Sequence, residues 1–83
     1  MDKVFQVGIY SSDGVIYEGQ VVSLVVPSEL GYLGVLAHHA SLIARLISGA
    51  ITFKDNSGKA TTINVRQTGY IEVVQNKATI LLW

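Results

Sequence analysis

The chain has 83 residues, enough for one domain spanning residues 1–83, and no cysteine, which excludes disulfides and thiolate metal sites. Six Lys and Arg balance six Asp and Glu, and no two basic residues are adjacent, so the sequence lacks the concentrated basic face that nucleic-acid binders need. Charged residues make up only 14% of the chain, against about 25% in a typical domain, which predicts an exposed apolar surface that faces a partner.

The sequence also lacks the marks of direct membrane insertion. No run approaches the roughly 20 apolar residues that a membrane span requires. The start, Met1-Asp2-Lys3, does not lead into the apolar core of a signal peptide. We therefore expect a soluble, intracellular protein that reaches a membrane only through another subunit.

The first third of the chain predicts three strands. Residues 4–10 alternate between two faces, as a half-buried strand does. Residues 11–14 predict a turn, and residues 15–18 a second short strand. Residues 21–26 are apolar on both faces and predict the most buried strand, which should end at Pro27 because proline lacks an N–H.

The middle of the chain is less clear. Residues 28–34 predict a loop with one exposed acid, Glu29. Residues 36–48 fit two structures: Leu36 and Ile43 fall on a helical stripe, whereas the alternation further along fits a strand. The pattern by itself leaves both open.

The second half again predicts strands. Residues 50–54 and 59–66 flank residues 55–58, Asp-Asn-Ser-Gly, a strong hairpin turn. Residues 70–74 and 78–83 complete the series. Turn signals recur every 8–12 residues or so, which predicts an all-β sandwich of about nine or ten short strands in two sheets.

Two histidines are the first candidates for chemistry. If His38 and His39 lie on a strand, their side chains point to opposite faces and cannot share one metal. Ser41 follows His39 by two residues, but a catalytic triad also needs a buried acid, which the local sequence does not supply. We expect no catalytic residue, no metal and no cofactor, with one histidine hydrogen-bonded at the edge of a loop.

Lys77 suggests a different class of protein. Lipoyl and biotinyl carrier domains are all-β, of about this size, and present a modified lysine at the tip of a hairpin. In this chain an asparagine, Asn76, stands where those domains often have an acid. A carrier domain modified at Lys77 and a generic β adaptor therefore stay as alternatives.

Two segments carry a resemblance to a known family. They are Gly31-Tyr32-Leu33-Gly34-Val35-Leu36, followed by His39 and Leu42, and Gly69-Tyr70-Ile71-Glu72-Val73. In this order and at about this separation, they resemble the amino-terminal β-sandwich domain of the epsilon subunit of F-type ATP synthase. The sequence departs from the family pattern at Tyr32, where a glutamate is usual, at Ala37 and His38, which replace Pro-Gly, and at Ser41, which replaces a proline.

The resemblance implies a non-catalytic rotor subunit of the central stalk. It implies a strand within residues 36–48, and docking of the gamma subunit onto the membrane c-ring, which couples proton flow to ATP synthesis. The expected place is the cytoplasmic face of an energy-transducing membrane, with the bacterial inner membrane favoured over thylakoid or mitochondrial membranes. The similarity does not extend to the family's carboxyl-terminal helical hairpin, so we do not expect the hairpin's ATP binding in these residues.

By resemblance, one loop should face the ring and the shaft. Tyr32 is the best single anchor, because aromatic residues dominate the hot spots of interfaces. The predicted docking residues are Glu29, Leu30, Tyr32, Leu33, His38 and His39.

Overall fold

The structure, a computed structural model, describes residues 3–83, and strands are the only regular secondary structure in that part of the chain. The prediction of an all-β fold is therefore confirmed. The strands are β1 (Phe5–Ser11), β2 (Gly14–Val21), β3 (Ser23–Ser28), β4 (Gly31–Leu36), β5 (Leu42–Leu46), β6 (Gly49–Lys54), β7 (Ala60–Val65), β8 (Gly69–Val74) and β9 (Lys77–Leu82). With no helix in residues 3–83, this part holds no helix that could cross a membrane.

The strands form one curled sheet that folds into two layers. Their order is β2-β1-β9-β8-β5-β3-β6-β7, with β4 paired to the other edge of β3. Only Ser28 and Leu46 pair where β3 meets β5, so the sheet turns its corner there. Beyond the corner the layers face each other: the rings of Tyr17 in β2 and Phe53 in β6 lie 4.2 Å apart, centroid to centroid, although these strands are not neighbours in the sheet.

Strand alternation decides which side chains fill the space between the layers. In the first layer Ile71, Ile80 and Ile9 lie side by side in register and are fully buried. Their neighbours along each strand, such as Glu72 and Thr79, therefore belong to the outer face. Each fully buried isoleucine stabilises the fold by about 1.5–3 kcal/mol.

The predicted loop over residues 28–34 is wrong. Only the turn at residues 29–30 separates β3 from β4, and Gly31 already pairs with Ser28. Gly31 has a φ of 116°, which favours glycine, so this residue brings the chain out of the turn and into the strand. Tertiary packing outweighs the low strand propensity of this Gly-rich segment, because Val35 is buried in the core.

Three further predictions about the strands need correction. β2 continues to Val21, past the break expected after residue 18, and β3 continues through Pro27 to Ser28. Pro27 remains in the ladder because its carbonyl accepts a hydrogen bond from the N–H of Ile47 at 2.9 Å. The segment 21–26 is not the most buried strand, since Val25 lies on the outer face and is 38% exposed. Residues 36–48 contain β5, a strand as the resemblance implied.

Candidate docking surfaces

The outer face of the first layer carries an apolar patch, the aromatic face, which consists of Tyr70, Leu81 and Trp83. The register places Tyr70 directly between Leu81 on β9 and Arg45 on β5. The rings of Tyr70 and Trp83 lie 5.5 Å apart, centroid to centroid, in a tilted arrangement. The three side chains are 42%, 47% and 59% exposed, so the patch offers large apolar area that the rest of the domain leaves uncovered.

A shallow groove extends the aromatic face towards the other end of β5 and β8. It encloses about 340 Å³. Two exposed apolar side chains, Ile43 and Val74, form part of the walls of the groove, and Ile43 is 72% exposed. Glu72 lies directly opposite Ile43, and no ion pair is found for this carboxylate among residues 3–83, although Arg45 stands on the same outer face. The groove is thus an apolar depression with a single negative charge.

The outer face of the second layer carries a separate apolar patch on β3 and β4, the β4 face, made of Tyr32, Leu36 and Val25. Tyr32 and Leu36 are 66% and 64% exposed. Gly34 lies between them on β4 and opposite Val25 on β3, so no side chain fills the space between Tyr32 and Leu36. Because the two layers meet through their inner faces, the β4 face and the aromatic face point away from each other.

The predicted docking residues do not form one loop. Glu29 and Leu30 are exposed in the turn between β3 and β4, where Leu30 is 96% exposed. Tyr32 lies on the outer face of β4, as an anchor should. Leu33 points the other way and packs against the core, so its side chain is largely withdrawn from any partner.

The two histidines lie at the far end of β4. They belong to the connection between β4 and β5, and the six-residue strand separates them from the turn at Leu30 by about 17 Å. Nδ1 of His39 donates a hydrogen bond to the carbonyl of Ala40 at 2.7 Å, which confirms one histidine bonded at the edge of a loop. No group of three or more His, Cys, Asp or Glu side chains that could hold a metal occurs in residues 3–83.

Asn76, which the sequence brought up only beside the carrier-domain alternative, joins separate segments of the chain. It lies in the turn between β8 and β9, and its side chain reaches the β4–β5 connection and the start of β1. Its Oδ1 accepts from the N–H of His38 at 2.7 Å, and its Nδ2 donates to the carbonyl of Val4 at 3.0 Å. The signal in the sequence was an asparagine between the strands predicted at residues 70–74 and 78–83, since asparagine side chains in turns bond to backbone groups.

Two exposed side-chain clusters complete the surface. The Tyr10 hydroxyl donates to Oε2 of Glu18 at 2.6 Å, and this hydrogen bond, with desolvation and the negative charge of Glu18, raises the pKa of Tyr10. The ring of Tyr10 covers the glycine beside it, since a Cβ on Gly8 would lie 2.4 Å from the Tyr10 hydroxyl. At the β6–β7 turn, hydrogen bonds from Ser57 and Lys59 lower the pKa of Asp55.

Lys77 does not occupy the position that a carrier domain requires. Gln75 and Asn76, with φ of 49° and 61°, form the two-residue turn between β8 and β9, and both positive values are typical of a type I′ hairpin. Lys77 is the first residue of β9 and pairs with Val74 and with Gln6. The lysine therefore flanks the tip of the hairpin and is held in the sheet on both sides.

Comparison with known proteins agrees with the two-layered fold and its motifs. The sequence profile of the family described as ATP synthase, Delta/Epsilon chain, beta-sandwich domain matches residues 4–82. The chain belongs to this family. The resemblance that the sequence motifs carried is thereby confirmed, and the family description agrees with the predicted β-sandwich.

Relatives within the family are ATP synthase epsilon chains. The chain is 42% identical to that of Dichelobacter nodosus, over 99% of this chain and 56% of the relative. It is 40% identical to that of Latilactobacillus sakei, over 95% of this chain and 55% of the relative. The chain thus spans slightly more than half the length of these curated relatives.

Solved structures share the fold at low sequence identity. A chain of the Euglena gracilis mitochondrial ATP synthase, solved as an OSCP/F1/c-ring assembly, matches with a TM-score of 0.84 and 20% identity, over 92% of this chain and 48% of that chain. A chain of the Tetrahymena thermophila central stalk and c-ring matches with a TM-score of 0.73 and 11% identity, over 93% of this chain and 61% of that chain. At these identities the likeness supports the β-sandwich family's fold and nothing finer.

Proposed function

We propose that the chain is the amino-terminal β-sandwich of a non-catalytic central-stalk subunit in an F-type ATP synthase. In this role it docks the gamma subunit onto the membrane c-ring and so couples proton flow to ATP synthesis. Family membership over residues 4–82 and relatives named as epsilon chains support this proposal. The subunit would lie at the cytoplasmic face of an energy-transducing membrane, most simply a bacterial inner membrane, since its matched relatives include bacterial proteins.

One observation carries the proposal: two separate apolar surfaces lie on opposite outer faces of the domain. A carrier or a single-partner adaptor needs only one such surface. A subunit that joins two components needs two, and they must be far enough apart to be occupied together. The aromatic face on β8 and β9 and the β4 face with its Leu30 turn meet that requirement.

We assign the aromatic face and its groove to the gamma subunit. Trp83, Tyr70 and Arg45 are of the three residue types that carry most of the binding energy in protein interfaces. Glu72 and Lys77 lie on the same outer face and can supply a polar rim. The groove that continues the aromatic face adds the exposed side chains of Ile43 and Val74, which suits a lasting contact with the shaft.

We assign the β3–β4 turn and Tyr32 to the c-ring. Glu29 at the turn offers a charge and Leu30 an apolar tip, a mixture that suits polar loops. Tyr32 combines apolar area with a hydroxyl, which suits the boundary between a protein surface and water. This assignment keeps three of the predicted docking residues, Glu29, Leu30 and Tyr32, at the ring. Leu33 is not an anchor, because it packs against the core, and His38 and His39 lie nearer the gamma-facing groove.

The purified chain should be mixed with its cognate gamma subunit, with the c-ring, and with both, and the complexes separated by size. The proposal expects a stoichiometric complex with gamma and a ternary complex that contains the ring. If the chain binds neither gamma nor the c-ring, the proposal is wrong and the generic β adaptor is the remaining interpretation. Intact mass of the native protein tests the carrier alternative separately, since our proposal expects the mass of the unmodified chain.

A further inference from the structure

The Asn76 side chain joins three segments that are far apart in the sequence. It holds the β4–β5 connection through the N–H of His38, 38 residues away, and the start of β1 through the carbonyl of Val4, 72 residues away. Its own carbonyl accepts a further hydrogen bond from the N–H of Gln6 at 3.2 Å. One partly buried residue thus ties the β8–β9 turn to the β4–β5 connection and to the start of β1.

The held segment is conformationally demanding. His38 has a φ of 62°, in the left-handed region that residues other than glycine adopt uncommonly. Within the connection, the N–H of His39 donates a hydrogen bond to the carbonyl of Leu36 at 3.2 Å, which closes this turn. The bond from the N–H of His38 to Oδ1 of Asn76, at 2.7 Å, adds a restraint from outside the connection.

The connection leads straight into the gamma-facing groove. Ser41 lines that groove, and Ile43 two residues later is its most exposed apolar wall. A change in the path of residues 37–41 would therefore shift one wall of the groove relative to Val74 on β8. Holding this path before binding spares the cost of ordering it during binding.

We propose that Asn76 is a positioning residue, which fixes the β4–β5 connection and thereby keeps one end of the gamma-docking surface ready to bind. The choice of gamma as the partner rests on the proposed function, whereas the hydrogen bond from His38 to Asn76 does not depend on it. The residue need not touch gamma itself, because it acts through the backbone of His38.

The test compares Asn76→Gly with Gln75→Gly in the whole 83-residue chain. Glycine tolerates the positive φ at both turn positions, so both variants keep the hairpin, but only the first removes the bonds to His38 and Val4. Amide hydrogen exchange at His38, followed by NMR, should become about fivefold to tenfold faster in Asn76→Gly, with core amides such as Ile80 unchanged. Gln75→Gly should leave His38 as in the parent.

Affinity for the gamma subunit supplies the second measurement. Asn76→Gly should bind gamma roughly fivefold more weakly than Gln75→Gly does, because the freed connection has to be ordered on binding. Unchanged exchange at His38 in Asn76→Gly, or faster exchange with unchanged gamma affinity, would overturn the proposal. If the parent chain itself does not bind gamma, the proposed function is wrong, and exchange alone then decides the role of Asn76.

Discussion

Truncating Trp83 to alanine tests the assignment of the aromatic face most directly. A tryptophan side chain carries about 200–250 Å² of surface. With Trp83 59% exposed, roughly 130 Å² remains for a partner to cover, and at about 25 cal/mol per Å² this corresponds to about 3 kcal/mol. The entropy cost of ordering the Trp83 side chain on binding is small, because its ring already packs against Tyr70 with a centroid distance of 5.5 Å. We expect a loss of about a hundredfold in affinity for gamma.

The reciprocal variant is Tyr32→Ala on the β4 face. Tyr32 is also aromatic and is 66% exposed, so it matches Trp83 in kind but lies on the opposite outer face. We expect Tyr32→Ala to change the affinity for gamma by no more than about twofold, because Tyr32 does not contact gamma in this assignment. The same substitution should weaken assembly with the c-ring by about tenfold or more, as the loss of an interface hot spot does.

Calorimetric titration of gamma with each variant, followed by pull-down of the ring by the gamma complex, measures both effects. Urea unfolding of the free variants controls for folding, since both substitutions remove exposed side chains and should shift stability little. If both variants weaken gamma binding equally, the two faces are not separate docking surfaces. If neither changes either affinity, the reasoning from exposed apolar area is wrong altogether.

Two further predictions concern stability and use urea unfolding. Gly69→Ala should lower the free energy of unfolding by about 3 kcal/mol or more, because a Cβ at this position would lie 1.9 Å from the carbonyl oxygen of Leu81. Gly34→Ala is the control and should be tolerated, because the space around its Cβ is open. Equal effects of the two substitutions would contradict this account of the packing. Hydrogen bonds from Ser57 and from Lys59 lower the pKa of Asp55 in the folded state. The stability that the Asp55 carboxylate contributes is therefore present above its unfolded pKa and is lost as pH falls through its folded pKa. Asp55→Asn should remove this component, and parallel stability curves for the two proteins below about pH 4 would refute it.

Local patterns were enough to predict much of the fold. The alternation in residues 4–10 gave β1, and the turn at residues 55–58 gave the β6–β7 hairpin, because both depend on neighbours in the sequence. Asp55 bonds to the N–H groups of Ser57 and Lys59, and Gly58 has a φ of 92°, so the turn is specified by its own residues.

The β3–β4 region shows where such patterns stop. Gly31 and Gly34 read as a loop, yet pairing with β3 and burial of Val35 make the segment a strand. The docking prediction had the same weakness. The resemblance led it to group Leu30 with His39 in one loop, whereas the extended strand between them places the two at opposite ends of β4.

By itself, the sequence determined the all-β class, most turns and the family, because each depends on residue types at short or fixed separations. Only the tertiary structure decided which apolar residues stay uncovered and what Asn76 holds. Ile71 and Tyr70 are adjacent in the chain and both are largely apolar, yet Ile71 is fully buried, whereas Tyr70 faces outward and pairs with Trp83. The physical reason is that burial depends on which strands close over a face, and that closure joins residues far apart in the sequence, as the bond between His38 and Asn76 does.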